Sequence, residues 1–378
     1  MGALAARESS SSAKRLPSLD GLRAISAAMV VLGHTEKLLK IGRHLLFEAG
    51  VIDVWGPVGV TVFFVISGFL ITRLLIAEQD QTGSINLCRF YVRRGLRILP
   101  AYWFYLSAVL ALTCAGAVVA GRAGFAHALS FTTDYVNPQS WVLNHSWSLS
   151  VEEQFYALWP LLLLILGAAR ARRTALFLVI AAPFARVLTY FCAPQLRPAI
   201  TSMLHLRIDA LMIGCWVALE QRSNPSSRFL RMLEQPRTAA CAAAYCALIA
   251  GIVRHVGFAN VAFGYTLEEL SACSLVLWAL RYPSSNAGRV LNSGPLVHVG
   301  SISYSLYLWQ QLWLTHERST PVWQVPLLVI GTLVSAEASY WFIERPMLRL
   351  RSRLSFAVSS PNAAPTGTSG ASCDTMAA

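Results

Sequence analysis

A chain of 378 residues that is 55% hydrophobic and only 13% charged, with 11 Trp, lies far from the composition of soluble domains and reads as a multi-span membrane protein. Its 31 Lys and Arg against 19 Asp and Glu give a formal net charge of +12. Such an excess serves nucleic acid, an anionic ligand or membrane topology, and its distribution along the chain decides among them.

Residues 1–15, including "ARESSSSAK", have no apolar period and are expected to be disordered and cytoplasmic. Ala6 stands where a myristoylation signal has a hydroxyl residue, and no signal-peptide cleavage pattern precedes the first apolar segment, so that segment is expected to remain as a span. Apolar stretches then follow at 18–38, 57–77, 98–120, 147–169, 174–193, 200–220, 238–254, 260–280, 297–316 and 323–343. Each is long enough to cross about 30 Å of hydrocarbon. The expected fold is an all-α integral membrane protein of about ten transmembrane helices over residues 16–347, with a basic, disordered cytoplasmic tail at 348–378. No appended soluble catalytic domain is expected.

The arginines sort the sides. Lys14 and Arg15; Arg89, Arg93, Arg94 and Arg97; Arg170, Arg172 and Arg173; Arg222, Arg228, Arg231 and Arg237; Arg281 and Arg289; and Arg345, Arg349, Arg351 and Arg353 fall on alternate connections, all on the side of the N-terminus. The opposite connections hold only Lys37, Lys40, Arg43, Arg122, Arg197, Arg254 and Arg318. By the positive-inside rule both termini are expected in the cytoplasm, in an inner-membrane, multi-pass arrangement. Most of the positive charge is then topological, and the lipid bilayer, not nucleic acid, is the partner it implies. The eight cysteines include no C-x-x-C pair and read as small packing residues, with no metal site expected.

The first span, "LDGLRAISAAMVVLGH", carries Asp20, Arg23 and His34. Arg23 and His34 are eleven residues apart, about 1100° of rotation and about 16 Å of rise, so a cation and an imidazole project from nearly one face at different depths. Arg23 snorkelling to headgroups and His34 packed at the outer interface is the plain alternative. In "NHSWSLSVEEQFYALWP", Ser150 and Glu153 fit a capping box at the helix start, leaving Glu152 at the depth of His34, as are His145 and Ser148. A carboxylate beside an imidazole suits general-base chemistry. In "GVTVFFVISGFLITRLL", Ser67 and Gly68 permit close helix approach or a narrow channel. Arg73 lies one and a half turns further in, and "RFYVRRGLRILPAYW" gathers Arg89, Arg93, Arg94 and Arg97 at the cytoplasmic mouth. With Arg23 these are expected to face one vestibule suited to a polyphosphate, unless the cluster is only topogenic.

These stretches, together with "RIDALMIG", "SISYSLYLW" and "ERP", resemble the membrane-bound acyltransferase family 3 over roughly residues 16–347. The family includes bacterial O-acetyltransferases of lipopolysaccharide O-antigen, exopolysaccharide and nodulation factors. The resemblance implies a cytoplasmic acyl-CoA donor, usually acetyl-CoA, as co-substrate with no tightly bound cofactor, and an acceptor that is commonly a sugar hydroxyl on the outer side. It places Asp20, Arg23 and His34 in the first-helix motif, Ser67 and Gly68 in the second, Arg73 and Arg93 near the donor, and Ser150, Glu152 and Glu153 in the fourth. After "SLYLW" relatives often have His where this chain has Gln310 and Gln311, and Gln310 cannot exchange a proton at neutral pH.

The expected mechanism keeps the CoA nucleotide among the arginines and threads its pantetheine arm to His34. There His34, polarised by Glu152 or Glu153, deprotonates the acceptor or carries the acyl group. Arg207 and Asp209 either line the acceptor path or form a buried ion pair with other helices. Two rival readings stand beside this one. The first is a secondary transporter with a relay of His34, Glu152, Glu268 and Glu269; the second is a translocator passing acyl groups to a separate transferase. The sequence fixes neither the acceptor nor the oligomeric state.

Overall fold

A computed structural model describes residues 16–39, 54–136, 140–315 and 321–357, and every regular element among them is helical. The principal helices are α1 (Pro17–Leu39), α2 (Trp55–Thr82), α3 (Leu87–Cys114), α4 (Ser146–Cys192), α5 (Leu204–Ser223), α6 (Pro236–Ala244), α7 (Tyr265–Arg281), α8 (Gly294–Trp313), α9 (Val325–Ser339) and α10 (Arg345–Ala357). A π turn at Tyr340–Glu344 joins α9 to α10. Five helical stretches are long and apolar enough to cross a membrane: Trp55–Thr82, Leu87–Cys114, Trp141–Cys192, Pro194–Ser223 and Val325–Arg351. The chain is thus an all-α, multi-pass membrane protein. Large apolar side chains such as Ile165, Phe177, Phe184, Leu188, Val334 and Phe342 lie exposed on it, as lipid-facing surfaces require and soluble ones avoid. The expected disordered segments at 1–15 and 359–378 lie outside the described residues, and the last helix runs to Ala357, past the expected boundary at 347.

The expected spans at 147–169 and 174–193 form one helix in sequence, broken at Gly167. Gly167 adopts φ +70°, a left-handed value that glycine reaches without a Cβ penalty. Forty-seven residues at 1.5 Å each would run about 70 Å, more than twice the hydrocarbon thickness. The cross-helix contacts show the chain doubling back there. Glu152 and Trp159 of the first limb meet Ser67 and Thr72 of α2, so this limb runs parallel to α2. Arg172 and Arg186 of the second limb meet Glu220 and Asp209 of α5, so that limb is antiparallel to α5. Since α5 is parallel to α2 (Arg207 to Thr61, Arg222 to Asp80), the two limbs oppose each other.

Helix ends follow from local chemistry. Asn86 caps α3 by accepting from the backbone N–H of Arg89 at 2.9 Å, and Gly83 closes α2 in the left-handed conformation with its N–H on Gln79 O. The capping box expected at Ser150 and Glu153 is not formed. Helix α4 begins at Ser146, and Ser150, already inside it, bonds the Ser146 carbonyl at 3.0 Å and the Thr133 hydroxyl at 2.6 Å. The preceding residues Trp141–Asn144 are already helical, which moved the start four residues upstream.

Gly68 is a contact between helices. A methyl group added there would stand 2.0 Å from the carbonyl oxygen of Leu211, so α2 and α5 cross backbone to backbone. Of the narrow-channel and close-approach alternatives for Ser67-Gly68, the glycine serves the second. Cys88, Cys114, Cys192 and Cys241 are exposed, Cys215, Cys246 and Cys273 buried, and all seven are free.

Candidate active site

Helices α1, α3, α8 and the first limb of α4 surround one polar core with two tiers. At the first tier, Arg23 lies within Coulombic range of Asp20, Glu152, Arg94 and Tyr156. Arg97 lies within range of Arg23, Arg94 and Arg351. The Arg94 guanidinium sits 3.7 Å above the Tyr156 ring, the cation on its π face. Acidic groups thread among these cations. Glu152 Oε1 accepts from Ser67 Oγ at 2.6 Å, Glu153 faces Arg94, and the buried Glu344 accepts from Ser305 within range of Arg97 and Arg23. Tyr304 donates to the Ile98 carbonyl at 3.0 Å beside Glu152, Glu153 and Glu344.

The second tier lies eleven residues along α1 and seven along α4, about 16 Å and about 10 Å by helix rise. His34 Nδ1 is 2.6 Å from Gln310 Oε1, and the edge of the ring meets Trp141 at 5.2 Å between centroids. An amide oxygen accepts, so with this amide orientation Nδ1 carries a proton. Gln310 is fully buried. Next to it, Gln311 Oε1 accepts from the backbone N–H of His145 at 2.8 Å, and Tyr307 and Ser148 share a hydroxyl hydrogen bond at 2.5 Å.

The structure therefore regroups the expected residues. Arg23, Arg94, Arg97, Ser67, Glu152 and Glu153 come together, with Asp20 beside Arg23, and His34 stands apart from them in the second tier. Glu152 and Glu153 do not hydrogen-bond His34, whose ring pairs with Gln310 among others; two helical turns of α4 separate the glutamates from His145. Arg93 sits at the margin in an ion pair with Glu78 at 3.3 Å. Arg73 is not part of the group. It is exposed on another face of α2, beside Asp80 and Arg222 in a shallow cavity of about 270 Å³. Its position one and a half turns from Ser67 rotates it away from Arg23, a consequence of helix geometry. Ser150 bonds Thr133, and Gly68 faces α5, so neither enters the core.

Arg207 and Asp209 belong to a separate buried network, the ion-pair alternative for these residues. Asp209 Oδ2 pairs with Arg186 Nη1 at 2.5 Å, and both side chains are wholly buried. Arg207 donates to Thr61 at 2.8 Å, and both guanidiniums pack near the Tyr265 ring. Glu268 reaches Thr61, and Glu269 lies 4.0 Å from Arg186. The relay of His34, Glu152, Glu268 and Glu269 is thus divided between two sides of α2. Among the described residues no three His, Cys, Asp or Glu side chains are grouped to hold a metal ion.

Sequence reasoning missed Tyr156, Glu344 and Arg351 as members of the first tier. Glu344 and Arg351 are seven residues apart, two helical turns, and that spacing near "ERP" was the available signal.

Comparison with known proteins agrees with this architecture. A family model described as an acyltransferase domain matches residues 16–341. YrhL of Bacillus subtilis is 29% identical over 88% of this chain and 55% of its own length. O-acetyltransferase OatA of Staphylococcus aureus is 28% identical over 89% of this chain and 58% of its own. Peptidoglycan O-acetyltransferase OatA of Listeria monocytogenes is 26% identical over 89% and 56%. The chain thus spans a little over half the length of these relatives. No solved structure matches it. With the family model covering nearly the whole described chain, the protein belongs to the membrane-bound acyltransferase family 3.

Proposed function

We propose that the protein moves an acyl group, acetyl in the first instance, from cytoplasmic acyl-CoA to a hydroxyl of a cell-envelope or exported glycan. The observation that carries this reading is the two-tier core: a cluster of arginines around Arg23 at one level of α1 and the His34 imidazole, held by Gln310, at the other. The diphosphate and ribose phosphate of CoA suit Arg23, Arg94, Arg97 and Arg351, since guanidinium forks match phosphate oxygens. The pantetheine arm then reaches along the helices to His34, and the acyl group crosses without CoA crossing. Gln310 holds the ring so that Nε2 faces the reaction, the part an acidic partner often plays, without supplying negative charge. Nε2 takes the acceptor proton as the hydroxyl oxygen attacks the thioester. Glu152 and Glu153 belong in this scheme to the donor tier, where they balance the arginines. The names of the relatives support O-acetylation of envelope glycan as the outcome.

The test is direct. Purified protein in liposomes, given radiolabelled acetyl-CoA, should release CoA and label a glycan only when the glycan is present. Solute flux without CoA release would establish the transporter reading. Transfer of label only after a separate transferase is added would establish the translocator.

Two further outcomes are expected. Arg23→Ala, Arg94→Ala and Arg97→Ala should each raise KM for acyl-CoA roughly ten- to a hundredfold, each lost charge-assisted contact being worth about 1.5–3 kcal/mol. Arg73→Ala should leave KM close to wild type and Arg93→Ala should change it less, since these side chains lie outside the cluster or already pair with Glu78; equal KM effects from Arg73 and Arg97 would remove the cluster from donor binding. For topology, about ten crossings with both termini in the cytoplasm predict that reporters fused after Arg94, Arg173 or Arg231 report cytoplasm, and those near Gly50 or Asn137 the exterior. An external signal after Arg94 inverts the donor and acceptor sides.

A further inference from the structure

His145 joins the short helix Trp141–Asn144 to α4 and is 3% exposed. Its structural duties are performed by its backbone. The N–H donates to Gln311 Oε1 at 2.8 Å, and the carbonyl lies 3.1 Å from both the Tyr307 and Ser148 hydroxyls, accepting from one of them while the other hydroxyl's proton serves the bond between the two. Any residue supplies those atoms. The ring packs edge-on against Tyr105 at 5.2 Å and Tyr307 at 5.6 Å, a slot that phenylalanine would also fill. Yet the ring carries two buried nitrogens, neither in a well-formed hydrogen bond, with the Gln311 amide close enough to interact with the ring. Leaving such groups unsatisfied is costly, and a catalytic role is one of the reasons a fold retains them.

The location says which ligand. Trp141, whose ring meets His34, precedes His145 by four residues on the same helical face. The consecutive residues Gln310 and Gln311 hold the His34 ring and the His145 backbone respectively. Both imidazoles therefore stand at the same end of α8, and in the reading above the thioester arrives there.

We propose that the His145 ring N–H hydrogen-bonds the carbonyl oxygen of the acyl thioester and stabilises the oxyanion formed on it. This inference rests on the assignment of His34 as the base. The acceptor oxygen bonds to the thioester carbon, the C=O π pair moves onto oxygen, and the acceptor proton passes to His34 Nε2. The oxyanion is held by the His145 N–H. On collapse the C=O re-forms, the C–S bond breaks, and the CoA thiolate leaves with the proton from His34. His145 ends with the proton it began with, which separates its role from that of a base.

The test compares His145→Phe with His145→Gln, the first filling the slot without a donor and the second restoring an N–H. Purified variants are checked for thermal unfolding and acyl-CoA binding, then assayed for acetyl transfer. His145→Phe should fold, bind acyl-CoA within severalfold of wild type and lose about 10²- to 10³-fold in kcat; His145→Gln should recover at least about tenfold over Phe. A Phe variant within about threefold of wild-type kcat would reduce the ring to packing and overturn the proposal. Should the Phe variant fail to fold, His145→Met against His145→Gln makes the same comparison at nearly equal shape, and equal kcat values there overturn it. An inactive His34→Ala beside a fully active His145→Phe removes this inference alone, whereas an active His34→Ala removes the base and this inference with it.

Discussion

His34→Ala is expected to lower acyl transfer by about 10²- to 10⁴-fold, the range general-base catalysis supplies, while expression and acyl-CoA binding stay near wild type. The separation of effects follows from the geometry. The cations proposed to hold the nucleotide lie about 16 Å away by helix rise, so removing the imidazole leaves them in place. The ring hydrogen-bonds Gln310 at 2.6 Å and sits edge-on to Trp141. Its loss therefore frees a buried amide, a moderate cost to stability set against a large cost to chemistry. The check is single-turnover transfer at saturating acyl-CoA together with a binding isotherm for a non-hydrolysable CoA analogue. Transfer above a tenth of wild type, in protein that binds CoA normally, would move the base elsewhere.

Asp209→Ala is expected to act on the opposite quantity. Its carboxylate pairs with Arg186 at 2.5 Å with both side chains wholly buried, so the variant leaves a guanidinium without its closest counter-charge. Removing one member of such a pair typically costs about 3–5 kcal/mol, and Glu269, 4.0 Å from the same nitrogen, places the effect toward the lower end. The yield of folded protein and its thermal midpoint in detergent should fall steeply. Transfer per folded molecule should change little, because the network lies on the far side of α2 from His34. Replacing both partners with apolar residues, Arg186→Met with Asp209→Leu, should restore much of the lost stability, since no charge is then stranded. A stable Asp209→Ala protein with a raised KM for the glycan would instead return this residue to the acceptor path.

What depends on neighbours along the chain was legible in the order of the residues. Hydropathy over some twenty residues identified a membrane protein made of helices. The 3.6-residue period put Arg23 and His34 on one face at two depths, a relation that holds in any α-helix whatever it packs against. The same local logic failed where local alternatives were close in energy. Ser150 and Glu153 satisfied a capping pattern, but helical residues upstream of Ser146 drew the start of α4 earlier. Gly167 was read as the interior of a span, whereas its freedom at positive φ let one helix fold back into two limbs.

Which faces meet is set by helix packing. His34 and Gln310 are 276 positions apart, and their pairing exists because α1 and α8 run side by side, not because either segment encodes it alone. Glu152 looked like a partner for His34 from its position near a helix start, but α4 turns it toward Ser67 and the arginines. Arg73 shared a helix with Ser67 yet faces away, while Arg351, from beyond the expected end of the membrane domain, joins Arg97. Depth along a helix is fixed by counting residues; rotation toward a neighbour is fixed by packing, such as the close crossing at Gly68 that turns α2 against α5. That rotation assigned each polar side chain to the core, the lipid face or the separate buried network.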